Sequence, residues 1–184
     1  TVNSITLADG DNGGLAANYS IATGGTTTAN ITAKSIALND LTASDKVYDG
    51  TTTAIISSYG TLEEVIEGDT VSLNITNAVS NFNNKNAGTG KTVTVASLAL
   101  TGADSSNYSI SDQTTTAAIT RKNLTVDAVS ADPKVYDGTT TASAALTFSG
   151  LVSKETLGQT VGATFDTKNV GTGKTVTVNS ITLS

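Results

Sequence analysis

The nonapeptide KVYDGTTTA occurs twice in this chain, at Lys46–Ala54 and again at Lys134–Ala142, without a single change. Each copy places an alternating Lys-Val-Tyr before Asp-Gly, a dipeptide that tolerates positive φ and is favoured in two-residue hairpin turns. The stretch therefore predicts two short strands joined by a turn, with a tyrosine that anchors one face of a core. These structural turn and core residues are Tyr48, Asp49, Gly50, Tyr136, Asp137 and Gly138. A ligand-binding loop is the alternative interpretation of the same motif.

The sequence on either side of the motif recurs as well, which indicates a tandem array. Three further blocks appear twice: residues 85–95 with 168–178, 18–21 with 107–110, and 27–32 with 115–120. The first seven residues, TVNSITL, return at 177–183. The two copies of KVYDGTTTA are 88 residues apart, which is long enough for each unit to bury a small core of its own.

The repeated blocks agree with two ways of dividing the chain. In the first, residues 1–33 are the C-terminal part of one repeat, residues 34–122 are a complete repeat, and residues 123–184 are the N-terminal part of the next. In the second, residues 1–93 and 94–184 form two domains. We call residues 34–122 the first unit and residues 123–184 the second unit.

Hydrophobic alternation with a period of two dominates the pattern, and it predicts an all-β fold. It is clearest at residues 92–100, where Val93 and Val95 would face a core and a phase change near Ala96 indicates a bulge. A further strand is predicted at Ala29–Ala33. Short strands between polar turns favour tandem immunoglobulin-like β-sandwich repeats. A β-grasp repeat is the alternative if Leu62–Glu67 forms a short helix that ends at Gly68.

Composition excludes several classes of function. The chain has 16 acidic and 10 basic residues and a net charge of −6, so nucleic acid would be repelled. It has no Cys and no His, which removes thiolate metal sites, the most nucleophilic side chain and the commonest general base. No stretch reaches the roughly 20 apolar residues that cross a bilayer. We therefore expect neither an enzyme nor membrane insertion of this segment.

The sequence Gly88-Thr89-Gly90-Lys91-Thr92, repeated at 171–175, ends like a phosphate-binding loop. Such a loop carries a glycine five positions before its second glycine, where this chain has Lys85 and Lys168, and it is followed by a helix. Here Val-Thr-Val follows, which favours a strand. A hairpin turn is the better interpretation of GTGK.

The segment Asp9-Gly10-Asp11-Asn12-Gly13-Gly14 resembles the start of a calcium loop, with oxygen ligands at alternate positions. Asp9 and Asp11 are therefore weak candidates for calcium ligands. The twelfth position holds Ser20 and lacks the bidentate acid of an EF-hand. A flexible turn is favoured, and no other cofactor is expected.

Taken in order, KVYDGTTTA, NKNAGTGKTVTV, TGADSSNYSI and TTTAAITRKNL resemble the YDG-type repeats of large bacterial surface proteins. These include filamentous-haemagglutinin-like adhesins exported by two-partner secretion. The resemblance covers essentially the whole chain, with departures at Ala87, where the second copy has Val170, and around Asp11 to Ala16. It implies an extracellular stalk, spacer or fibre at the bacterial cell surface, engaged in adhesion or biofilm formation, and it carries over no catalytic residue.

The partners expected from this interpretation are the adjacent repeats and copies of the chain itself in a fibre. The alternative is a binding module for surface glycan, for matrix, or for another copy. The last would use β-strand addition, in which an exposed sheet edge accepts a strand from a neighbouring chain.

Overall fold

The computed structural model describes residues 3–22, 24–152 and 154–184, so Thr1 and Val2 of the first TVNSITL copy lie outside it. In these residues the chain forms 17 strands and two single-turn 3₁₀ helices, η1 (Ala16–Asn18) and η2 (Ser105–Asn107). This described part contains no α-helix, and the prediction of an all-β protein is confirmed. None of its helices is long and apolar enough to cross a membrane.

The first unit contains most of the strands, and nearly all are short. They are β1 (Lys34–Ile36), β2 (Leu38–Asn39), β3 (Thr42–Ala43), β4 (Lys46–Val47), β5 (Ile56–Ser58), β6 (Thr61–Leu62), β7 (Ser72–Asn74), β8 (Val79–Phe82), β9 (Gly88–Ala96), β10 (Ala99–Thr101), β11 (Tyr108–Ile110) and β12 (Gln113–Thr120).

A four-stranded mixed sheet in the order β4-β12-β9-β8 is the centre of the first unit. Strand β12 runs antiparallel to β9 and parallel to β4, so it is hydrogen-bonded on both sides. A second parallel pair joins β1 to β11. The remaining pairs, β2 with β6, β3 with β5 and β7 with β10, are antiparallel. The central sheet thus depends on β12, which joins β4 to β9 and comes last in the sequence of the unit.

The core of the first unit lies against this sheet. Val93 and Val95 are fully buried because alternation along β9 directs both to the same face, as predicted. Ile119 of β12 is 1% exposed and packs in one cluster with Val93 and with Phe82 of β8. Burial of each such side chain contributes about 1.5–3 kcal/mol. Small residues, Ala54 and Ala117, complete the cluster and keep the core thin.

The short helix predicted at Leu62–Glu67 is wrong. Thr61 and Leu62 form strand β6 instead, and the Glu63 amide donates to the carbonyl of Ala37 at 2.9 Å. Glu64 has φ +62°, which no right-handed helix allows. Hydrogen bonds to residues distant in sequence therefore override a local preference for helix, and the proposed basis for a β-grasp topology is removed.

The phase change predicted near Ala96 is present as a break between two strands. Ser97 has φ +60° and separates β9 from β10, so β9 pairs with β8 while β10 pairs with β7. The left-handed residue shifts the alternation of buried side chains by one position. Val93 and Val95 are the buried residues of β9, and in β10 Leu100 is less exposed than either neighbour.

The second unit repeats part of the antiparallel pairing of the first unit, with fewer strands that are mostly longer. In its described residues these are β13 (Thr125–Ala131), β14 (Thr141–Ala142), β15 (Ala144–Ser149), β16 (Gln159–Phe165) and β17 (Val176–Leu183). Strand β13 pairs with β15, and β16 lies between β14 and β17. Ala142, Leu146 and Ala163 are its buried apolar residues.

The described residues before Lys34 form no strand, so the strand predicted at Ala29–Ala33 is wrong. Residues 24–33 are exposed along their whole length. These residues favour the strand conformation, but a strand is stable only when it pairs with another strand, and this segment has no such partner among the described residues. The sheet positions beside β4 and β9 that suit this sequence are already filled by β12.

Candidate functional site

The KVYDGTTTA turn of the first unit is organised by the ammonium group of Lys46. Its Nζ lies 2.8 Å from Asp49 Oδ1 and also donates to the hydroxyl and carbonyl oxygens of Thr51, at 2.9 and 3.0 Å. A further hydrogen bond of 3.0 Å reaches the carbonyl of Thr53. Asp49 Oδ1 accepts hydrogen bonds from the Thr51 amide and hydroxyl at 2.9 and 2.8 Å. The charged groups of the motif are therefore satisfied within the motif itself.

The second copy builds most of the same network. Lys134 Nζ lies 2.9 Å from Asp137 Oδ1 and donates to Thr139 O and Oγ1 at 2.9 and 3.0 Å. Each lysine also lies over a phenylalanine ring, with 5.7 Å between Nζ and the ring centroid, Phe82 in the first unit and Phe165 in the second. Because the two copies fold alike in different surroundings, the motif sequence is sufficient to specify the turn.

These contacts shift the acid–base behaviour of the two aspartates. Hydrogen bonds from Lys46 and then from the Thr51 amide and hydroxyl lower the pKa of Asp49 from 3.8 to about 2. The equivalent bonds from Lys134 and Thr139 lower the pKa of Asp137 to about 2. Both carboxylates stay ionised at any physiological pH, which suits a structural ion pair and not a proton-transfer group.

The predicted hairpin is wrong, although the turn is present at Gly50 (φ +80°) and Gly138 (φ +78°). Strand β4 pairs in parallel with β12, and Thr53 bridges to Asn81 of β8. The reason is the side-chain network. The Thr51 amide and the carbonyls that a facing strand would use are already bonded to the aspartate and the lysine. The motif is a loop that connects two different partners in the sheet.

The two tyrosines of the motif differ in environment. Tyr48 is partly buried and packs against the core cluster of the first unit, as predicted. Tyr136 is 57% exposed, so its prediction as a core residue is wrong. In the first unit β12 runs beside the motif, with the Tyr48 amide bonded to the carbonyl of Thr120 at 2.9 Å. No described strand runs beside Tyr136.

The first YDG turn also contacts the second unit. The hydroxyl of Tyr48 donates to Glu155 Oε1, and Lys85 Nζ lies 3.0 Å from the same oxygen. Gly50 packs so closely that an added Cβ would lie 2.8 Å from Val152 Cγ1. We call Tyr48, Gly50, Lys85, Val152 and Glu155 the junction.

The junction is an electrostatic contact supported by close packing. The hydrogen bond from Tyr48 and then the Lys85 ammonium lower the pKa of Glu155, and Glu155 in turn raises the pKa of Lys85. The side chain of Glu155 is 30% exposed and that of Lys85 is 48% exposed, so the pair is accessible to salt. Sequence reasoning missed Lys85, Val152 and Glu155, because a single sequence carries no signal of contact between side chains 70 or more residues apart.

The lysines of the two GTGK segments bond back onto the chain that precedes them. Lys91 Nζ donates to Asn84 Oδ1 at 2.7 Å and is largely buried, while Lys174 Nζ lies 2.9 Å from Asp166 Oδ1. Gly90 and Gly173 have φ of +58° and +62°, and both precede these lysines. The hairpin turn predicted at GTGK is wrong in the first unit, where Gly88–Thr92 lie inside strand β9 because Gly88 and Lys91 pair with β12, and the connection from β8 runs through residues 83–87. In the second unit residues 171–175 form no strand.

The candidate calcium ligands do not come together with other carboxylates. Asp9 Oδ1 accepts a hydrogen bond from the Ala16 amide at 2.7 Å, so it closes its own loop, and Asp11 is exposed. Among the described residues no group of three Asp, Glu, His or Cys side chains is placed to hold a metal ion.

These features define an all-β protein built from tandem repeats, each with a lysine-clamped YDG turn. The chain belongs to the YDG domain family, whose model matches residues 32–117 and again residues 120–184. No curated protein and no solved structure is similar enough to match the chain.

Proposed function

We propose that the chain is a structural repeat segment of an extracellular bacterial adhesin or surface fibre, in which successive YDG repeats act as a stalk or spacer. The junction is the observation that carries this proposal. A turn that belongs to the core of one repeat holds the next repeat through Glu155 and Val152, so bending between repeats is opposed. A spacer needs this property, and it needs no reactive side chain.

The character of the exposed surface supports the same role. The chain has 17 Gly but one Pro, no Cys and low charge, and its surface is rich in Thr, Ser and Asn. The connection between the units, Arg121-Lys122-Asn123-Leu124, is short and contains no Gly. The resemblance of the repeated blocks to the YDG-type repeats of bacterial surface proteins supports a location at the cell surface. We extend the proposal to a tandem sandwich-like packing of the repeats along one axis.

The stiffness of the junction can be measured by residual dipolar couplings of the two units in one aligned sample. In the unmodified chain the two units should share one alignment tensor. Tyr48→Phe and Glu155→Ala remove the hydrogen bond and the ion pair, and the tensors should then diverge. Tyr136→Phe and Glu67→Ala are matched controls at exposed positions and should leave the tensors equal.

A salt titration shows whether the ion pair of the junction or some other contact holds the two units in a fixed orientation. Raising the ionic strength to about 1 M shortens the screening length to about 3 Å and should weaken the Lys85–Glu155 contact. Unequal tensors in the unmodified chain at low salt would contradict the spacer role. Labelling of intact cells with antibody against the chain checks the surface location, and staining only after lysis would refute it.

A further inference from the structure

The beginning and the end of the first unit lie side by side and run in the same direction. Strand β1 pairs in parallel with β11, and strand β4 pairs in parallel with β12. We call residues 34–48 the entry segment and residues 108–120 the exit segment. Lys34 lies opposite Tyr108 where both segments begin, whereas the chain leaves the exit segment at Thr120, at the far end.

Side-chain hydrogen bonds link the two segments in the interval between these parallel pairs. Each joins a side chain of one segment to the backbone of the other: Gln113 Oε1 accepts from the Leu38 amide at 3.2 Å, Thr115 Oγ1 donates to the Leu41 carbonyl at 2.9 Å, and Asp45 Oδ1 accepts from the Ala118 amide at 2.6 Å. The partners are 73 to 75 residues apart in every case, so the register stays nearly constant. We call these bonds and the two parallel pairs the ladder.

Each segment is also held on the side that faces away from the ladder. In the exit segment, β12 pairs with β9. In the entry segment, β2 pairs with β6 and β3 pairs with β5. The ammonium group of Lys46 fixes the end of the entry segment through its bonds to Asp49 and Thr51. A segment that leaves the unit therefore has to separate from these partners as well as from the ladder.

Buried side chains cover the ladder at both of its ends. Ile36 and Tyr108 are buried where the two segments begin, and Ile119 is buried where they end. A hydrogen bond in such surroundings has no water to replace it when it breaks, so opening it costs more than opening an exposed one. The ladder is therefore protected where the chain enters the unit and where it leaves.

The parallel order decides how tension on the chain acts on the ladder. Tension pulls the entry segment from Lys34 and the exit segment from Thr120, which lie at opposite ends of the ladder. The two segments are then drawn in opposite directions along their length, and all the hydrogen bonds between them are strained at once. Segments pulled apart from the same end would lose one bond at a time. Breaking many bonds in one event has the higher barrier, and this barrier governs forced unfolding.

We propose that the ladder makes the first unit resist tension applied along the chain, so that a fibre containing such units stays folded while it is pulled. This function goes beyond that of a stiff spacer, because the junction opposes bending between units and the ladder opposes extension within one unit. The use of this resistance in a surface fibre rests on the proposed function. The resistance itself is a property of the first unit.

Optical tweezers test the proposal on the full chain, since the sequence has no cysteine and DNA handles can be attached at two introduced ones. Ala33→Cys with Lys122→Cys, both exposed, places the handles at opposite ends of the ladder. Ala33→Cys with Asn107→Cys, also exposed, places them at the same end. At one constant force the folded unit should last at least about tenfold longer in the first arrangement, because several bonds break together instead of singly. Equal lifetimes in the two arrangements would overturn the proposal.

The length released identifies the event that is measured. Lys34–Thr120 span about 300 Å when fully extended, so opening of the whole unit should lengthen the chain by a little less than this. In the first arrangement this length should appear in a single step, because the unit opens once the ladder breaks. Release in several small steps that begin before the ladder breaks would show that the ladder is not the barrier.

Two matched variants isolate the contribution of the ladder. Asp45 accepts the Ala118 amide within the ladder, and Asp104 Oδ2 accepts the Thr70 amide at 2.8 Å outside it. Asp45→Ala should shorten the lifetime at constant force by about tenfold, because the ladder loses a bond to a charged group. Asp104→Ala should shorten it by less than about twofold, since its bond is still intact when the ladder breaks. Urea unfolding without force checks that both variants are folded, and equal lifetimes in the two would contradict the proposal.

The outcomes also separate this proposal from the spacer role. Equal lifetimes in the two handle arrangements, together with one shared alignment tensor, would overturn the ladder and leave the stiff spacer intact. Different alignment tensors in the unmodified chain, together with a long lifetime when the handles are at opposite ends, would refute the stiff spacer and leave the tension-resisting unit intact.

Discussion

The ammonium group of Lys46 lies 2.8 Å from the carboxylate of Asp49, and the Lys134–Asp137 pair, 88 residues later, reproduces this distance to within 0.1 Å. Each pair closes a loop whose two ends lead to segments with different pairing partners. The YDG motif is therefore a clamp that positions Tyr48 or Tyr136, and the surroundings of the clamp decide whether that tyrosine meets a neighbour or solvent.

Acid should destabilise the fold through these clamps. Both aspartates have a folded pKa of about 2 against an ordinary value of 3.8. A lowered folded pKa contributes stability that is present above pH 3.8 and is lost as the pH falls towards 2. Urea unfolding midpoints should therefore be level from pH 7 to about 5 and then fall. Asp49→Asn and Asp137→Asn should each flatten this fall, and an unchanged profile would show that the clamps contribute nothing.

Gly50→Ala and Gly138→Ala form a matched pair that isolates the junction. Both glycines have φ near +80°, where a side chain costs about 1–2 kcal/mol. An added Cβ meets no atom within 4 Å at Gly138 but would lie 2.8 Å from Val152 at Gly50. We expect similar losses of stability in the two variants, with divergent alignment tensors only in Gly50→Ala. Equal tensors in both variants would show that Val152 moves aside freely.

Ile119 and Ile31 occupy equivalent sequence positions with opposite exposure. Ile119→Ala should lower the free energy of unfolding of the first unit by about 2–5 kcal/mol, because it leaves a cavity in the core. Ile31→Ala should change the same quantity by less than about 0.5 kcal/mol in dilute solution. Chemical denaturation at low protein concentration measures both, and a large effect of Ile31→Ala would mean that this segment already packs within its own chain.

Ser97→Gly should stabilise the first unit. Ser97 has φ +60°, a conformation that costs about 1–2 kcal/mol for an L-residue, and glycine would remove most of this cost. Ser180 holds the equivalent position inside the continuous strand β17 and pairs with Gly162 of β16, so Ser180→Gly should destabilise by about 0.5–1 kcal/mol. Thermal unfolding of the two variants should show opposite signs, and a loss of stability in Ser97→Gly would contradict this account of the strand break.

Local features of the site followed from the sequence. The Asp-Gly turns and the inward alternation of Val93 and Val95 depend on neighbours in the chain, and each is present. The turn at GTGK did not follow in the first unit, because pairing with β12 holds that segment in strand β9. The hairpin at the YDG motif did not follow, because the partner of Lys46–Val47 is a strand about 70 residues away. The helix at Leu62–Glu67 failed for the same reason, since the Glu63 and Ile66 amides donate to the Ala37 carbonyl and the Tyr108 hydroxyl, both distant in sequence.

The sequence by itself determined that this protein is a tandem β repeat, because repetition and period-two alternation are properties of the chain that need no partner. It also specified the lysine-clamped YDG turn, which forms in both units from the same Lys, Asp and Thr side chains. Only the tertiary structure decided what each copy does. Tyr48 is packed beside β12 and holds Glu155, whereas Tyr136 faces an open groove. A strand is stable only against another strand, and which strand it meets depends on three-dimensional proximity rather than on its own residues.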